Sequence, residues 1–452
     1  MQPLIIPRKE HGISRKQVSL NALRTLYRLR DNGFIGYLVG GCVRDLLLGR
    51  TPKDFDIATD AAPGQIKRLF RNCRLVGRRF RLAHLYFQDE IIEVSTFRAA
   101  APAGEEEPDE TAASASRSRQ PRHLVDEDGM VLRDNVFGTP GEDALRRDFT
   151  VNALAYNIAD FSLIDFTTGL SDLRQRLLRP IGDPLVRFTE DPVRMLRAVR
   201  FSASHDLVIE PATWEILCEL APTISRASPA RLYEEMQKLF LLGAARPVFH
   251  LLLKSGLFAP LFPGLSRWLD ESDLNPARLC ENLAWLDRRH GNGTSPPSPL
   301  LFLALLFGPA LEAETLVRQR DGIPRQQALN AAYAAFMEEL CKTVQVPARL
   351  GGRMRNLLAM QPSLHRMPPR RPASLAARPD FTDALAYLRA GAETRGENRS
   401  VLGWWDDFLS APPAVGSQGL PADEAPPKRR RRRRRRHRRP AGTTGSPCTS
   451  RR

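Results

Sequence analysis

The stretch Leu38-Val-Gly-Gly-Cys-Val-Arg-Asp-Leu-Leu-Leu-Gly-Arg-Thr-Pro-Lys-Asp-Phe-Asp-Ile-Ala58 is compatible with few folds. Tyr37, Leu38 and Val39 form an apolar strand end, and Gly40-Gly41 lets the backbone turn sharply and admit a ligand at close range. The spacing from Val43 to Leu48 predicts a short helix that Gly49 stops. Free N–H groups at that helix's start, beside two residues without side chains, make a seat for a phosphate. Asp54 and Asp56 follow Pro52-Lys53. Residues i and i+2 of a strand share a face, so both carboxylates are expected to project toward the seat. Two oxygen ligands next to a phosphate cradle suit a pair of Mg²⁺ ions. One would lower the pKa of an attacking hydroxyl, and the other would hold a triphosphate and its leaving pyrophosphate.

The flanking sequence predicts a small α/β domain with its site on a sheet. A polar lead-in (1–17) precedes a helix over 19–32, with Leu20, Leu23, Leu26 and Tyr27 at helical spacing. A helix near 63–70 leads into strand-like 73–87 and a strand over 91–98. On that strand Glu93, among Ile91, Ile92 and Val94, is a third acid placed to hold metal or take a proton from the attacking hydroxyl. Residues 100–128, rich in Ala, Glu, Ser and Pro, read as a flexible loop. From Glu142 to about residue 225 the pattern reads as helical. Arg146-Arg147-Asp148-Phe149-Thr150-Val151-Asn152 is expected to open a helix, with Asp148 as N-cap and Asn152 one turn on. Read alone, that is a capped helix with a surface arginine pair; beside the first motif, Arg147 would meet phosphate, and Asp148 and Asn152 ribose hydroxyls. In Glu190-Asp191-Pro192-Val193-Arg194-Met195-Leu196-Arg197, the residues Asp191, Arg194 and Arg197 fall three apart and form one polar stripe. A fixed carboxylate acceptor and guanidinium donor can read a base edge.

Amphipathic helices continue from Ser228-Pro229 to about residue 409, with Pro-rich 361–375 as a linker or surface loop. The net charge of +16 is concentrated beyond them: 13 Lys or Arg and no acid lie between Lys428 and Arg452. Arg431 and Arg434 belong to this run, which suits a sequence-blind hold on RNA phosphates. Arg78 and Arg79 are further candidates for RNA contact. Six cysteines without C-x-x-C pairing fit a reducing compartment, and no apolar run reaches the ~18 residues of a membrane helix. Those features suggest a cytoplasmic protein with no membrane segment. His205-Asp206 has the form of a phosphohydrolase metal dipeptide, but no second ligand set accompanies it.

Gly40-Gly41 with Asp54-x-Asp56 resembles the signature of the nucleotidyltransferase superfamily that includes DNA polymerase beta, CCA-adding enzymes and poly(A) polymerases. Arg146–Leu154 is similar to the second signature of class II tRNA nucleotidyltransferases and bacterial poly(A) polymerases. Glu190–Phe201 is similar to their base-selecting helix. Leu75–His84 and Ile6–Lys16 look like the bacterial poly(A) polymerase versions rather than the CCA-adding ones. The resemblance implies a polymerase beta-like α/β nucleotidyltransferase head with a small mixed sheet, then an all-α neck and body and a disordered basic tail. The boundaries expected are 1–17 lead-in, 18–165 head, 166–225 neck, 226–410 RNA-binding body and 411–452 tail. It further implies a template-independent adenylyltransferase using ATP and two Mg²⁺ at RNA 3′ ends. Asp54 and Asp56 would bind metal with help from Glu93, Gly40, Gly41 and Arg44 would seat the triphosphate, and Asp191 and Arg194 would select adenine. Arg197 would stack or bind phosphate. A CCA-adding enzyme and a non-catalytic RNA-binding protein are the alternatives. The sequence names no protein partner, RNA-decay and RNA-chaperone proteins included.

Overall fold

The computed structural model describes residues 2–77, 82–99, 124–125, 131–133, 137–291 and 297–411. Residues Met1–Leu402 form one compact unit, to which the elements below belong. Its head is an eight-stranded mixed sheet. In chain order the head strands are β1 Leu4–Ile6, β2 Gly36–Val39, β3 Asp56–Thr59, β4 Cys73–Val76, β5 Leu82–Tyr86, β6 Ile91–Thr96, β7 Leu124–Val125, β8 Val131–Arg133, β9 Leu154–Asn157 and β10 Leu163–Asp165. The sheet order is β1-β10-β9-β2-β3-β6-β5-β4, while β7 and β8 pair with each other. Only β3 and β6 run parallel within the sheet. The parallel pair sets Asp56 opposite Glu93, and the antiparallel β5–β6 pair sets Glu93 opposite His84. Partners in register share a face, so these three polar side chains form a row across three strands.

The opposite face is apolar. Leu38, Ile57, Val94 and Ala83 are buried there. Helix α1 (Leu20–Asp31) brings Leu26 and Leu29 against Gly36 of β2, and α3 (Pro63–Leu69) packs on β4 and β5. Between them in the chain, α2 (Gly41–Leu47) leaves β2 at once. Ser19 caps α1 by accepting from the Ala22 N–H.

Two expectations are corrected here. The lead-in contributes β1, which pairs with β10 at the sheet edge. The segment after Glu142 is not continuous helix: α4 (Pro140–Leu145) ends before a 3-10 turn, Thr150–Asn152, and β9 and β10 then extend the sheet. Helical propensity loses there because Ala155 and Tyr156 gain a β-ladder with β2, Leu154 pairs with β10, and all three become buried. The neck follows with α5 (Gly169–Arg174), a short parallel pair β11 (Leu177–Leu178) and β12 (Val208–Ile209), α6 (Pro184–Glu190), α7 (Val193–His205) and α8 (Pro211–Leu220). Helix α7 buries Met195, Leu196, Ala198, Val199 and Phe201, and Asp206 ends it in the left-handed region at φ 55°.

The body opens with α9 (Pro229–Phe240), which packs against α7. Its centre is the helix Pro299–Arg320, capped by the Ser298 hydroxyl and buried around its whole circumference from Leu300 to Leu311. Among the described residues this helix alone is long and apolar enough to cross a membrane, and most of that apolar stretch is covered by its neighbours. The Pro-rich segment expected as a linker is partly helical: Ala348–Leu364 carries Pro362 inside it, and Pro372–Ala376 forms a short helix.

Candidate active site

A cleft of about 690 Å³ runs from the head to the neck and the first body helix, and Gly40, Gly41, Asp54, Asp56, Asp191 and Arg194 all line it. Gly40 adopts φ 74° and ψ −136°, a conformation reserved for glycine. A methyl group there would lie 2.8 Å from Arg147 Nη1 and 3.9 Å from Asp56 Oδ2. The glycine turn, Arg147 and the Asp56 carboxylate are therefore immediate neighbours. Strand β3 begins at Asp56, so Asp54 belongs to the preceding loop, not to the strand as expected. Asp54 is exposed at the mouth of the cleft, while Phe55 between them is buried and anchors the loop.

Asp56 also borders a second cavity of about 280 Å³, lined by Glu93, Ser95, Arg98, Arg146 and Arg147. Asp56 and Arg147 thus form the wall between two spaces. Burial pushes the Asp56 carboxyl up to about 6, Glu93 and Asp54 push the same way, and Arg147 opposes them. Glu93 lies 3.4 Å from His84 Nε2. Among the described residues no group of three His, Cys, Asp or Glu side chains forms a self-sufficient ion site. Mg²⁺ needs only one or two protein carboxylates when phosphate oxygens and water complete its shell. An acid cluster whose repulsion Arg147 only partly offsets is a donor set of that kind, so the residues fit a divalent ion held jointly with a substrate.

The second signature sits differently from the sequence expectation. Asp148 caps no helix, yet Asn152 is beside it. Asp148 Oδ1 accepts from the Phe149 N–H at 2.9 Å and from Asn152 Nδ2 at 3.0 Å. Its Oδ2 accepts from Arg197 at 2.6 Å. Burial alone would raise this carboxyl; Arg197 and the hydrogen bonds outweigh it and hold it at about 2. Asn152 Oδ1 in turn accepts from Arg44 Nη1 at 2.8 Å. Arg44 is almost fully buried, its guanidinium lying against Gly41. Asp148, Asn152, Arg44 and Arg197 therefore form a braced wall of the cleft, satisfied by one another.

The polar stripe of α7 is also engaged. Asp191 pairs with Arg231 of α9 at 2.7 Å. Arg194 donates to Glu190 at 2.7 Å and to the Arg187 carbonyl at 2.8 Å. Arg187 reaches back to the carbonyls of Arg146 and Arg147 at 2.8 and 2.7 Å. Asp191 closes α6, and the next helix starts at Val193 with Pro192 as its cap. Sequence reasoning missed Arg231, Arg187 and Arg98. Each is a single arginine on an ordinary helix or strand end, with no local signal of what lies across from it. Arg78, Arg79, Arg431 and Arg434, and all but Leu124-Val125 of the loop 100–128, lie outside the described residues.

Comparison with known proteins is consistent with this geometry. Three family models match: the poly A polymerase head domain over residues 36–179, a probable RNA and SrmB-binding site of polymerase A over 206–269, and the polymerase A arginine-rich C-terminus over 321–440. The chain is 43% identical to poly(A) polymerase I of Escherichia coli O6:H1 across 94% of its own length and 90% of that protein. It is 38% identical to the Haemophilus influenzae poly(A) polymerase I across 89% and 87%. A Bacillus licheniformis CCA-adding enzyme is 36% identical over only 54% of the chain and 56% of that enzyme. Among solved structures, the Bacillus stearothermophilus CCA-adding enzyme in complex with CTP matches with a TM-score of 0.58 and 25% identity, covering 86% of this chain and 81% of that one. Long-range identity, the order of the three matched segments and the nucleotidyltransferase fold agree, and the chain belongs to the bacterial poly(A) polymerase family.

Proposed function

We propose that this protein adds AMP from ATP to RNA 3′ ends without a template, releasing pyrophosphate. The observation that carries the reading is the identity to poly(A) polymerase I across nearly the whole chain, joined to a cleft where Gly40, Asp56 and Arg147 meet. At the level of sequence, the Bacillus licheniformis CCA-adding enzyme aligns with only about half the chain, which favours adenylate addition over C-C-A synthesis.

In this reading Gly40 and Gly41 let the triphosphate approach the backbone, with Arg147 beside them. Asp54 and Asp56 would hold the divalent ions, taken as two, as a two-metal displacement requires. What such ions supply is a more acidic attacking hydroxyl and neutralisation of the leaving pyrophosphate. Glu93, facing the second cavity, is placed to orient or deprotonate the RNA hydroxyl there. Asp191 and Arg194 read adenine after exchanging their present partners, Arg231 and Glu190, for the base. Asp148, Asn152, Arg44 and Arg197 keep the wall between head and neck rigid. The expected division is a catalytic head to about residue 165, a base-reading neck to 225 and an RNA-holding body to 410. The basic tail adds a non-specific grip on RNA, with Arg431 and Arg434 among its contacts and Arg78 and Arg79 assisting from the head.

The test is a labelled RNA primer incubated with Mg²⁺ and each nucleoside triphosphate separately. A ladder with ATP alone is expected, abolished in Asp54→Ala while circular dichroism is unchanged. Cytidylate addition opening a C-C-A end would transfer the chain to the CCA-adding reading, and an active Asp54→Ala variant would remove the metal assignment.

A further inference from the structure

His205 closes a ring of polar contacts around the buried Phe201. Its Nε2 lies 3.1 Å from Asp45 Oδ1. The same oxygen accepts from Arg44 Nε at 2.9 Å and Nη2 at 2.8 Å. Arg44 then donates to Asn152, Asn152 to Asp148, and Arg197 to Asp148. Arg197 and His205 both belong to α7, so the circuit leaves the neck helix at one end, crosses the head and returns at the other. Phe201 lies inside it, with Arg44 4.8 Å above the ring and His205 edge-on at 5.8 Å.

The proton count assigns the imidazole a definite task. A carboxylate only accepts hydrogen bonds, so Nε2 must carry the hydrogen. The Asp45 carboxyl is kept below its usual range: burial alone would raise it, but His205 and Arg44 prevail. Burial, with Arg44 and the more distant Arg50, lowers the affinity of His205 for a second proton, against the pull of Asp45. The other ring nitrogen, Nδ1, lies 2.7 Å from the Ser204 oxygen, whose hydroxyl hydrogen is donated to the Arg200 carbonyl at 2.7 Å. Arg44 is the member of the circuit nearest the phosphate seat, its Nη2 3.4 Å from where a Gly41 side chain would begin. The side chain that fixes Asp45 thereby fixes the guanidinium behind Gly41.

We propose that His205 is a positioning residue for nucleotide binding: its Nε2–H holds Asp45 so that Arg44 keeps the Gly40-Gly41 turn and the neck helix in register. His205 itself lines the cleft, and in this proposal it acts through Asp45 rather than by contact with the nucleotide. The proposal rests on the adenylyltransferase reading above, and the experiment separates the two. ATP affinity is measured by titration calorimetry with Mg²⁺ and no RNA, and kcat and KM by primer extension, for wild type, His205→Leu and His205→Gln. Leucine keeps bulk against Phe201 but donates nothing; glutamine restores an N–H donor to Asp45.

His205→Leu is expected to weaken ATP binding and raise KM roughly tenfold, the order lost with one hydrogen bond to a charged group. The change in kcat should stay within about twofold, because the acids are untouched. His205→Gln should recover most of the affinity, as a pure packing role would not allow. Unchanged affinity in His205→Leu overturns the proposal. So does equal loss in both variants, a proportional fall of kcat, or failure of the leucine variant to fold, since each assigns His205 to packing. A wild-type protein that neither binds ATP nor extends RNA would instead sink the enzymatic reading.

Discussion

Replacing Asp56 by asparagine should make the metal-free protein more stable while abolishing its activity. The folded environment raises this carboxyl from 3.8 to about 6, through burial first and then through Glu93 and Asp54. At about 1.4 kcal/mol per tenfold change in proton affinity, keeping Asp56 ionised costs the fold about 3 kcal/mol above pH 6. The sign follows from proton uptake. Between pH 4 and 6 the folded state binds more protons than the unfolded one, so this contribution improves as pH falls and the penalty has vanished below about pH 4. Asparagine carries no charge, and its amide is of similar size. Chemical denaturation in EDTA should therefore find Asp56→Asn about 1–3 kcal/mol more stable than wild type at pH 8, with the gap closing toward pH 4. Adding Mg²⁺ with ATP should stabilise the wild type and leave the variant nearly unchanged, because only the native acid site gains from binding. Primer extension should be lost at every pH. A variant less stable than wild type at pH 8, or a gap that does not narrow on acidification, would refute the argument that the acids are held together against their own repulsion.

Two further outcomes follow from the same wall of the cleft. Gly40→Ala must accept a positive φ and a contact 2.8 Å from Arg147, so a loss of about 1–3 kcal/mol and a raised KM for ATP are expected, read by thermal unfolding and primer extension. Arg197→Met leaves the buried Asp148 without its cation and should cost about 3–5 kcal/mol near neutral pH. Because Asp148 is held at about 2 in the fold, that stabilisation is present above pH 4 and is lost as pH falls toward 2. A urea titration at pH 7 and at pH 3 should therefore show the two proteins converging in acid.

The local signals were legible wherever one short segment carried the whole message. The sharp turn at Gly40, a short helix after it and the stop at Gly49 all appear, with Gly40 and Gly49 at positive φ, although the helix starts at Gly41, two residues before the spacing predicts. Arg194 and Arg197 lie on the first turns of α7, Asp191 at the α6 end just before it, and all three line the cleft. Around Arg146–Leu154 the expected helix gives way to a 3-10 turn at Thr150–Asn152 that leads into β9, whose partner β2 lies more than a hundred residues earlier. Propensity and capping are local quantities; strand pairing is not. The short edge strand Leu4–Ile6 was invisible for the same reason, since its partner Leu163–Asp165 lies far along the chain.

The partners of the site were hidden for a related cause. Nothing near Asp191 in the chain announces Arg231, and nothing near Asp45 announces His205, which the sequence offers only as half of a metal dipeptide. What the amino-acid order settled by itself was chemistry: which acids, glycines and arginines exist and at what separations, hence the class of reaction the chain is equipped for. What only tertiary structure decided was occupancy: which of those groups face open space and which are already bound to one another. Asp148, Arg44 and Arg197 are candidate ligand contacts in one dimension and in three are already held within the fold, Asp148 by Arg197 and Asn152 and Arg44 by Asp45 and Asn152. Asp56, singled out by its motif, instead proves to sit beside Glu93 with its charge only partly offset by Arg147. The physical reason is that a buried charge is tolerable only beside its complement, and that complement is supplied by folding from elsewhere in the chain.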